Sequence, residues 1–406
     1  MTQHATWPQP FAQSNAAIPY EAYRHLVQAG PVHHMEVAPN VMAWVVCGYS
    51  SARALMSDPR LSIDPASAAP QVRSALLGLA MEEKQSLYGR HLLATDAPDH
   101  TRMRRIMSRA LTARRLLSME PKVRQITDQL LEQLDGQCEA DLLAEFALPL
   151  TIRVLAGLIG LPDDGTKLFH ELGLLVLRGD AAEDEVFSHV IATLAAYLND
   201  LTASPDVVAD GGLMRLLLDA HAREEITDQE RNSLLFQLFF AGHESTAYFI
   251  SNAIATVLAH SDQLVLLRED PDLIDSAIEE LLRYEGSVKS ATWRFPTEPI
   301  EIDGVCLPVG DPVLILFAAA NRDPDFVHAP ARLDITRPST AHLSFGYGAH
   351  HCLGHALGRM EAKIAITSLI TRYPDLRLNL PHSELPWRSN IVMRGMSCLP
   401  VTLTAS

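Results

Sequence analysis

Phe345-Gly346-Tyr347-Gly348-Ala349-His350-His351-Cys352-Leu353-Gly354 delivers one cysteine on a glycine-hinged turn at the start of a helix. The glycines on either side of Tyr347 let the backbone take positive φ and lie close against a flat ligand. From Leu353 onward apolar residues recur at helical spacing (Leu353, Ala356, Leu357, Met360, Ile364), with Arg359 and Lys363 on other faces. A thiolate at a helix N-terminus meets backbone N–H groups and the positive end of the helix dipole, which favour charged sulfur. Three readings stand at this point: an anionic axial ligand held at fixed geometry, a buried apolar cysteine in a turn, and a zinc site from His350, His351 and Cys352. Structural zinc draws on two short ligand pairs, and no Cys-x-x-Cys partner occurs elsewhere.

Around this loop the composition is that of a protein with ample core material. Of 406 residues, 48% are hydrophobic and 20% charged, and the formal net charge of −16 argues against nucleic acid or an anionic membrane as partner. Cys47, Cys138, Cys306, Cys352 and Cys398 are scattered without paired spacing, which points to reduced thiols in a cytoplasm. Met1 to Tyr20 carries three prolines and no basic-then-apolar pattern, so neither signal peptide nor anchor is expected. No run reaches the roughly 18 apolar residues of a membrane span. The expectation is a cytoplasmic monomer.

Ile18–Ala29 reads as a short helix stopped by Gly30-Pro31. Val32–Val37 and Val41–Cys47 alternate around Pro39-Asn40, a hairpin signal. Residues 58–98 read as a long loop with one weak helical patch. Asp99 to about Asp219 is predominantly helical, broken near Gly136, Pro162, Gly179 and Pro205. Thr227–His260 holds no proline and predicts one helix of about 50 Å at 1.5 Å per residue, opened by a Thr227-Asp-Gln-Glu230 capping box. Another helix is expected at Asp272–Tyr284, with strands at Thr292–Phe295, Ile300–Ile302 and Val313–Phe317. The expectation is one domain over 1–406, its α-rich core at about 99–290 and 352–370 and its β-rich portion at about 30–50, 292–318 and 375–405.

Inside the long helix lies Ala241-Gly242-His243-Glu244-Ser245-Thr246. A mid-helix glycine costs about 1 kcal/mol relative to alanine, so its presence asks for a reason. Ser245 can hydrogen-bond the carbonyl of Ala241, four residues back, and bend the helix there. An acid and an alcohol beside such a bend suit proton delivery; packing through small residues is the bland alternative. Glu280-Leu281-Leu282-Arg283 sets an acid and a base three apart on one helix face, by itself an ordinary pair.

Together these segments resemble the cytochrome P450 family. The cysteine loop matches its Phe-Gly-x-Gly-x-His/Arg-x-Cys-x-Gly pattern at Phe345, Gly346, Gly348, His350, Cys352 and Gly354. Ala241–Thr246 resembles the oxygen-activation segment Ala/Gly-Gly-x-Asp/Glu-Thr-Thr, with Ser245 replacing the first threonine; the hydroxyl survives without the methyl that restricts its rotamer. Glu280 and Arg283 match Glu-x-x-Arg, and Pro330-Ala331-Arg332-Leu333 matches the position of a second arginine. The resemblance runs over residues 20 to 405 and leans toward soluble bacterial natural-product hydroxylases of macrolide type.

The resemblance implies a mainly α fold, a multihelical prism with small β-sheets and haem b between the Thr227–His260 helix and the Cys352 helix. It makes Cys352 the iron ligand and Glu244, Ser245 and Thr246 the proton-delivery group. It puts His100, Arg104, Arg294 and His350 on the two haem propionates, with Ala241, Phe345, Gly346 and Gly354 lining the cofactor. It places Glu280, Arg283 and Arg332 in a supporting ion network, and Phe240, Val288, Ala291, Thr292, Ile391 and Val392 on the substrate pocket. The implied activity is monooxygenation of a lipophilic small molecule, hydroxylation or epoxidation, using O2. A peroxide-driven enzyme or a haem-thiolate sensor is the alternative. No flavin or iron–sulfur motif occurs, so electrons are expected from NAD(P)H through a ferredoxin reductase and a ferredoxin. His100 to Arg115 holds six arginines, of which Arg102, Arg105 and Arg109 share one face and are expected to dock the ferredoxin.

Overall fold

The structure, a computed structural model, describes residues 10–11, 15–39, 41–77, 90–178, 183–203, 211–338 and 341–403. The breaks expected at Gly179 and Pro205, and part of the 58–98 loop, lie outside them. The described chain is mainly helical with small sheets, as expected.

Helix α1 (Tyr20–Ala29) stops where Gly30 turns to φ 146° and its amide returns to the carbonyls of Leu26 and Val27. Strands β1 (Val32–Ala38) and β2 (Val41–Val46) form the hairpin that the alternation predicts. Helix α2 (Tyr49–Met56), β3 (Leu61–Ser62) and α3 (Pro70–Leu77) follow, more order than the proline-rich sequence suggests. Next come α4 (Asp99–Ser108), α5 (Ala113–Leu134), β4 (Glu139–Asp141) and α6 (Leu148–Ile159), which ends on left-handed Gly160. Helices α7 (Asp163–Arg178), α8 (Glu183–Ala203) and α9 (Leu213–Ala222) complete the helical stretch.

Thr227–His260 is not one continuous helix. It is α10 (Asp228–Gly242) and α11 (Glu244–Ala259), interrupted at His243, whose φ and ψ are −119° and −49°. Two side chains take main-chain carbonyls there: His243 Nδ1 bonds the carbonyl of Phe239, and Ser245 Oγ that of Ala241. The expected capping box is present, Glu230 N–H donating to Thr227 Oγ1 and Thr227 N–H to the Glu230 carboxylate.

Helix α12 (Ser261–Glu269) went unforeseen, and α13 (Ile274–Glu285) opens with a 3-10 turn at Pro271–Leu273. The strand expected at Thr292–Phe295 is β5 (Phe295–Pro296), and Arg294 instead makes an isolated bridge to Val313. Then come β6 (Ile300–Ile302), β7 (Val305–Leu307), β8 (Val313–Ile315) and α14 (Phe317–Ala320). After the cysteine loop lie α15 (His355–Arg372), β9 (Arg377–Leu378), β10 (Trp387–Ser389), β11 (Arg394–Met396) and β12 (Pro400–Thr402).

The chain packs as two compact units. The first takes residues 1–79, 255–352 and 381–396. Its largest sheet runs β1-β2-β8, with β8 parallel to β2 and Trp44 opposite Val313. Leu55, Leu61, Val313, Ile315 and Leu343 share one buried cluster there, so the residue two before Phe345 is fixed in a core.

The second unit takes residues 80–254, 353–380 and 397–406. Helix α15 packs on α5, where the Tyr373 hydroxyl donates to the Leu131 carbonyl at 3.0 Å and Arg372 pairs with Asp135. Its small antiparallel sheet runs β4-β12-β9. Among the described residues no single helix is long and apolar enough to cross a membrane.

Candidate active site

In the first unit the cysteine loop has the backbone that its glycines predict. Gly346 sits at φ 69° and Gly348 at φ 74°. The Gly346 amide donates to Leu343 O and the Cys352 amide to Phe345 O, both at 2.8 Å, which closes the loop on itself. Gly348–His350 forms a 3-10 turn that leaves His350 half-buried. The helix after Cys352 starts at His355 rather than Leu353, with Gly354 at its N-cap and no side-chain cap. An uncapped helix start leaves amides for an anion, which suits a thiolate. Among the described residues no group of three or more His, Cys, Asp and Glu is placed to hold a metal ion, so the zinc reading of the loop gains nothing.

Beneath the loop lies a buried ion pair. Arg283 meets both carboxylate oxygens of Glu280, at 2.7 and 2.8 Å, and both side chains are almost wholly buried. The second guanidinium is not that of Arg332, the residue the family resemblance implied. It is Arg337, whose Nε lies 3.2 Å from the Glu280 carboxylate. Arg332 is exposed and contributes its carbonyl, which accepts from Arg283 at 3.3 Å. The chain runs from Arg332 into a turn stabilised by Asp334, and this brings the later arginine back over Glu280.

Arg283 also donates to the carbonyl of Asn321 at 3.2 Å. The Asn321 carboxamide holds the Leu343 amide at 2.6 Å and Ser344 Oγ at 2.9 Å, and Ser344 Oγ donates to Leu282 O. Gly286 makes this possible, because a Cβ there would stand 3.3 Å from Ser344 Oγ and 2.6 Å from Leu282 O. Sequence reasoning missed Asn321 and Arg337, since neither stands at a fixed spacing from Glu280.

The expected pocket residues of this unit fall on adjacent strips. Val288 bridges Met393, Lys289 N–H donates to Val392 O, Ser290 Oγ to Ile391 O, and Ala291 N–H to Ile315 O. Val288, Thr292, Ile391 and Val392 stay half-buried and Ala291 is buried. Arg294 is buried beside them, its amide on Val313 O.

The second unit carries the acid and the alcohol. Gly242 has its reason: a Cβ would stand 2.8 Å from Leu155 Cδ1, so a larger residue would have to displace the Leu155 side chain where α10 meets α6. Ser245 Oγ donates to Ala241 O at 3.2 Å, as the sequence suggests. Glu244, Ser245 and Thr246 are half-buried, and Phe240 packs against Phe236 and Phe239. His243 is wholly buried, and burial holds its imidazole near pKa 4, neutral, against the opposing pull of its bond to Phe239 O. Its ring sits by Gly173 of α7, where a Cβ would come within 3.3 Å of Nε2. Gly358 brings α15 within reach of α11, a Cβ there standing 3.7 Å from Thr246 Oγ1.

On α4, His100 is buried and Arg104 half-buried one turn on, along one face. Arg102 does not belong to a free basic stripe. It donates to the Glu230 carboxylate at 2.5 and 3.1 Å, to Asp99 at 3.0 Å and to the carbonyl of Glu225. Burial opposes it, but the Arg102 bond and the Thr227 amide hold the Glu230 carboxyl below its usual range. Arg105 and Arg109 remain exposed, with Arg109 3.8 Å from Glu225.

Within each unit the donors have the chemistry that a haem propionate takes: one imidazole and one guanidinium, His350 and Arg294 in the first, His100 and Arg104 in the second. The thiol ends a loop closed by the Cys352 amide on Phe345 O, and the uncapped helix start favours its anion.

A model of the family described as Cytochrome P450 matches residues 192–384. The chain is similar to Cytochrome P450 monooxygenase PikC of Streptomyces venezuelae, 36% identical over 98% of this chain and 96% of that protein. It is likewise similar to 6-deoxyerythronolide B hydroxylase of Saccharopolyspora erythraea, 32% identical over 98% and 96% of the respective lengths. Among solved structures, myxobacterial cytochrome P450 CYP267B1 in complex with myristic acid superposes with a TM-score of 0.91 at 32% identity, covering 99% of this chain and 100% of that one. The tirandamycin C-bound P450 monooxygenase TamI reaches 0.88 at 32% identity, covering 98% and 100%.

Proposed function

The chain belongs to the cytochrome P450 family, a bacterial haem-thiolate monooxygenase with haem b as its cofactor, and from that premise we propose which of its residues do the work. Cys352 is the axial thiolate, held by the closed 345–352 loop. His100, Arg104, Arg294 and His350 bind the propionates. Ala241, Phe345, Gly346 and Gly354 line the cofactor, and residues 1–406 act as one domain. When bound, the haem supplies activation of dioxygen at an iron whose thiolate ligand promotes O–O cleavage.

The protein's own part is proton management and exclusion of water. Glu244 collects protons, and Ser245 Oγ, at rest on Ala241 O, is the hydroxyl that passes one into the groove beside the break. The observation that carries this reading is the helix interruption at His243, with Ser245 Oγ 3.2 Å from the Ala241 carbonyl. The peroxide-driven and sensor readings have no such support.

The substrate is a lipophilic natural product, in keeping with relatives named 6-deoxyerythronolide B hydroxylase and tirandamycin C-bound P450 monooxygenase. It packs against Phe240, Val288, Ala291, Thr292, Ile391 and Val392. A ferredoxin and its NAD(P)H-dependent reductase deliver electrons, docking at Arg105 and Arg109, and the enzyme works as a cytoplasmic monomer. The test is turnover of a panel of macrolactones with O2, NADPH, reductase and ferredoxin, against the same panel with peroxide alone. Oxygenated product only in the first mixture is expected; product with peroxide at the same rate contradicts the reading.

A further inference from the structure

Helix α2 meets the cysteine loop along one face. Tyr49, Arg53 and Met56 recur at i, i+4 and i+7 and so project from the same side. The Tyr49 hydroxyl donates to the carbonyl of Ala341 at 2.6 Å, just ahead of the loop. Tyr49 is itself fixed, its amide on Asp323 at 2.9 Å and its ring stacked 3.4 Å from that of Phe326. At the far end of the face the Met56 carbonyl closes on Gly348, where a Cβ would come within 2.8 Å of it. Between these contacts Arg53 Nη2 donates to the Tyr347 hydroxyl at 3.0 Å, and its guanidinium lies 4.5 Å from the centre of the Tyr347 ring.

An exposed arginine on a half-buried tyrosine is by itself a weak contact. Here the tyrosine is the residue between the two left-handed glycines, Gly346 and Gly348. Glycine backbones have the most conformational freedom to lose. Tyr347 therefore carries the side chain between the two glycines, and Arg53 holds it from α2.

We propose that Arg53 is a positioning residue for Cys352: through Tyr347 it clasps the tip of the loop to α2 and slows loss of the thiolate ligand. The proposal rests on the reading of Cys352 as the iron ligand. The bond from Cys352 N–H to Phe345 O spans the clasped residue, and that from Gly346 N–H to Leu343 O ends on the glycine next to it, so opening the tip loosens both.

The test uses haem-loaded wild type, Arg53→Ala, Tyr347→Ala, Tyr347→Phe and the double alanine variant. In moderate urea, the decay of the thiolate-type Soret band of the reduced CO complex is followed, together with hydrogen exchange of the Gly346 and Cys352 amides. Each single alanine variant should lose the band about threefold faster, a size set by an exposed cation–π contact. The double variant should be no faster than either, and Tyr347→Phe should lie between. Exchange at the two amides should quicken in parallel, with global unfolding unchanged. Wild-type rates in Arg53→Ala, or additive effects in the double variant, overturn the clasp. Absence of the thiolate band in wild type would instead overturn the ligand assignment, and amide exchange alone would then decide the clasp.

Discussion

Asn321 Nδ2 donates to Ser344 Oγ at 2.9 Å, while the Asn321 main-chain carbonyl accepts from Arg283 at 3.2 Å. One asparagine thus ties the buried Glu280–Arg283 pair to the residue immediately before Phe345. A buried ion pair is a weak source of net stability, but breaking one side leaves an uncompensated charge. The value of the pair here is that its satisfied geometry fixes the entrance to the cysteine loop.

The first prediction separates Arg337 from Arg332. Arg337→Ala removes a guanidinium from the buried Glu280 carboxylate and should cost roughly 2–3 kcal/mol, with faster haem loss. Arg332→Ala should stay within about 0.5 kcal/mol, since that residue offers only its carbonyl. Urea titration and haem transfer to apomyoglobin read both. Equal losses in the two variants would refute the assignment.

The cysteine loop, the capping box and the Ser245–Ala241 bond were legible in the sequence because each is local, fixed by spacing along one segment. What was not legible is tertiary. The break at His243 depends on an imidazole finding room beside Gly173, and the place expected of Arg332 is taken by Arg337 because a turn at Asp334 redirects the chain. Arg102 reads as part of a basic stripe, yet it is spent on Glu230, 128 residues away.

A second prediction concerns the hydroxyl at the break. Ser245→Ala should divert reducing equivalents to hydrogen peroxide while leaving haem spectra and substrate binding nearly intact. Glu244→Ala should slow oxygen-dependent turnover, and Ser245→Thr should keep or improve coupling. Undiminished coupling in Ser245→Ala would move proton delivery to another group, with Thr246 next in line.

Electron delivery gives a third. Arg105→Glu or Arg109→Glu should slow ferredoxin-supported reduction and flatten its salt dependence, because exposed charges steer association and are screened by salt. Arg102→Glu should act differently, lowering stability through Glu230 and Asp99. Stopped-flow reduction across ionic strength distinguishes them. Wild-type rates in an Arg105/Arg109 double glutamate variant would remove this face as the docking site.

A fourth follows from His243. Burial holds its pKa near 4 against an ordinary 6.5, so between those values the unfolded chain binds a proton that the folded chain does not. Stability is then full above pH 6.5 and falls as pH drops toward 4, by about 3 kcal/mol in all and about 2 by pH 5. His243→Phe should lose that share of the acid slope in urea titrations at pH 7 and pH 5. An unchanged slope would mean that the imidazole is not held neutral.

The central claim, that Cys352 is the thiolate ligand of a haem, is met most directly by one spectrum. The dithionite-reduced CO complex of the wild type should show the red-shifted Soret band of thiolate-ligated haem. Cys352→Ala should abolish that band, while Cys47→Ala, Cys138→Ala, Cys306→Ala and Cys398→Ala should each keep it. An unchanged band in Cys352→Ala would contradict the account.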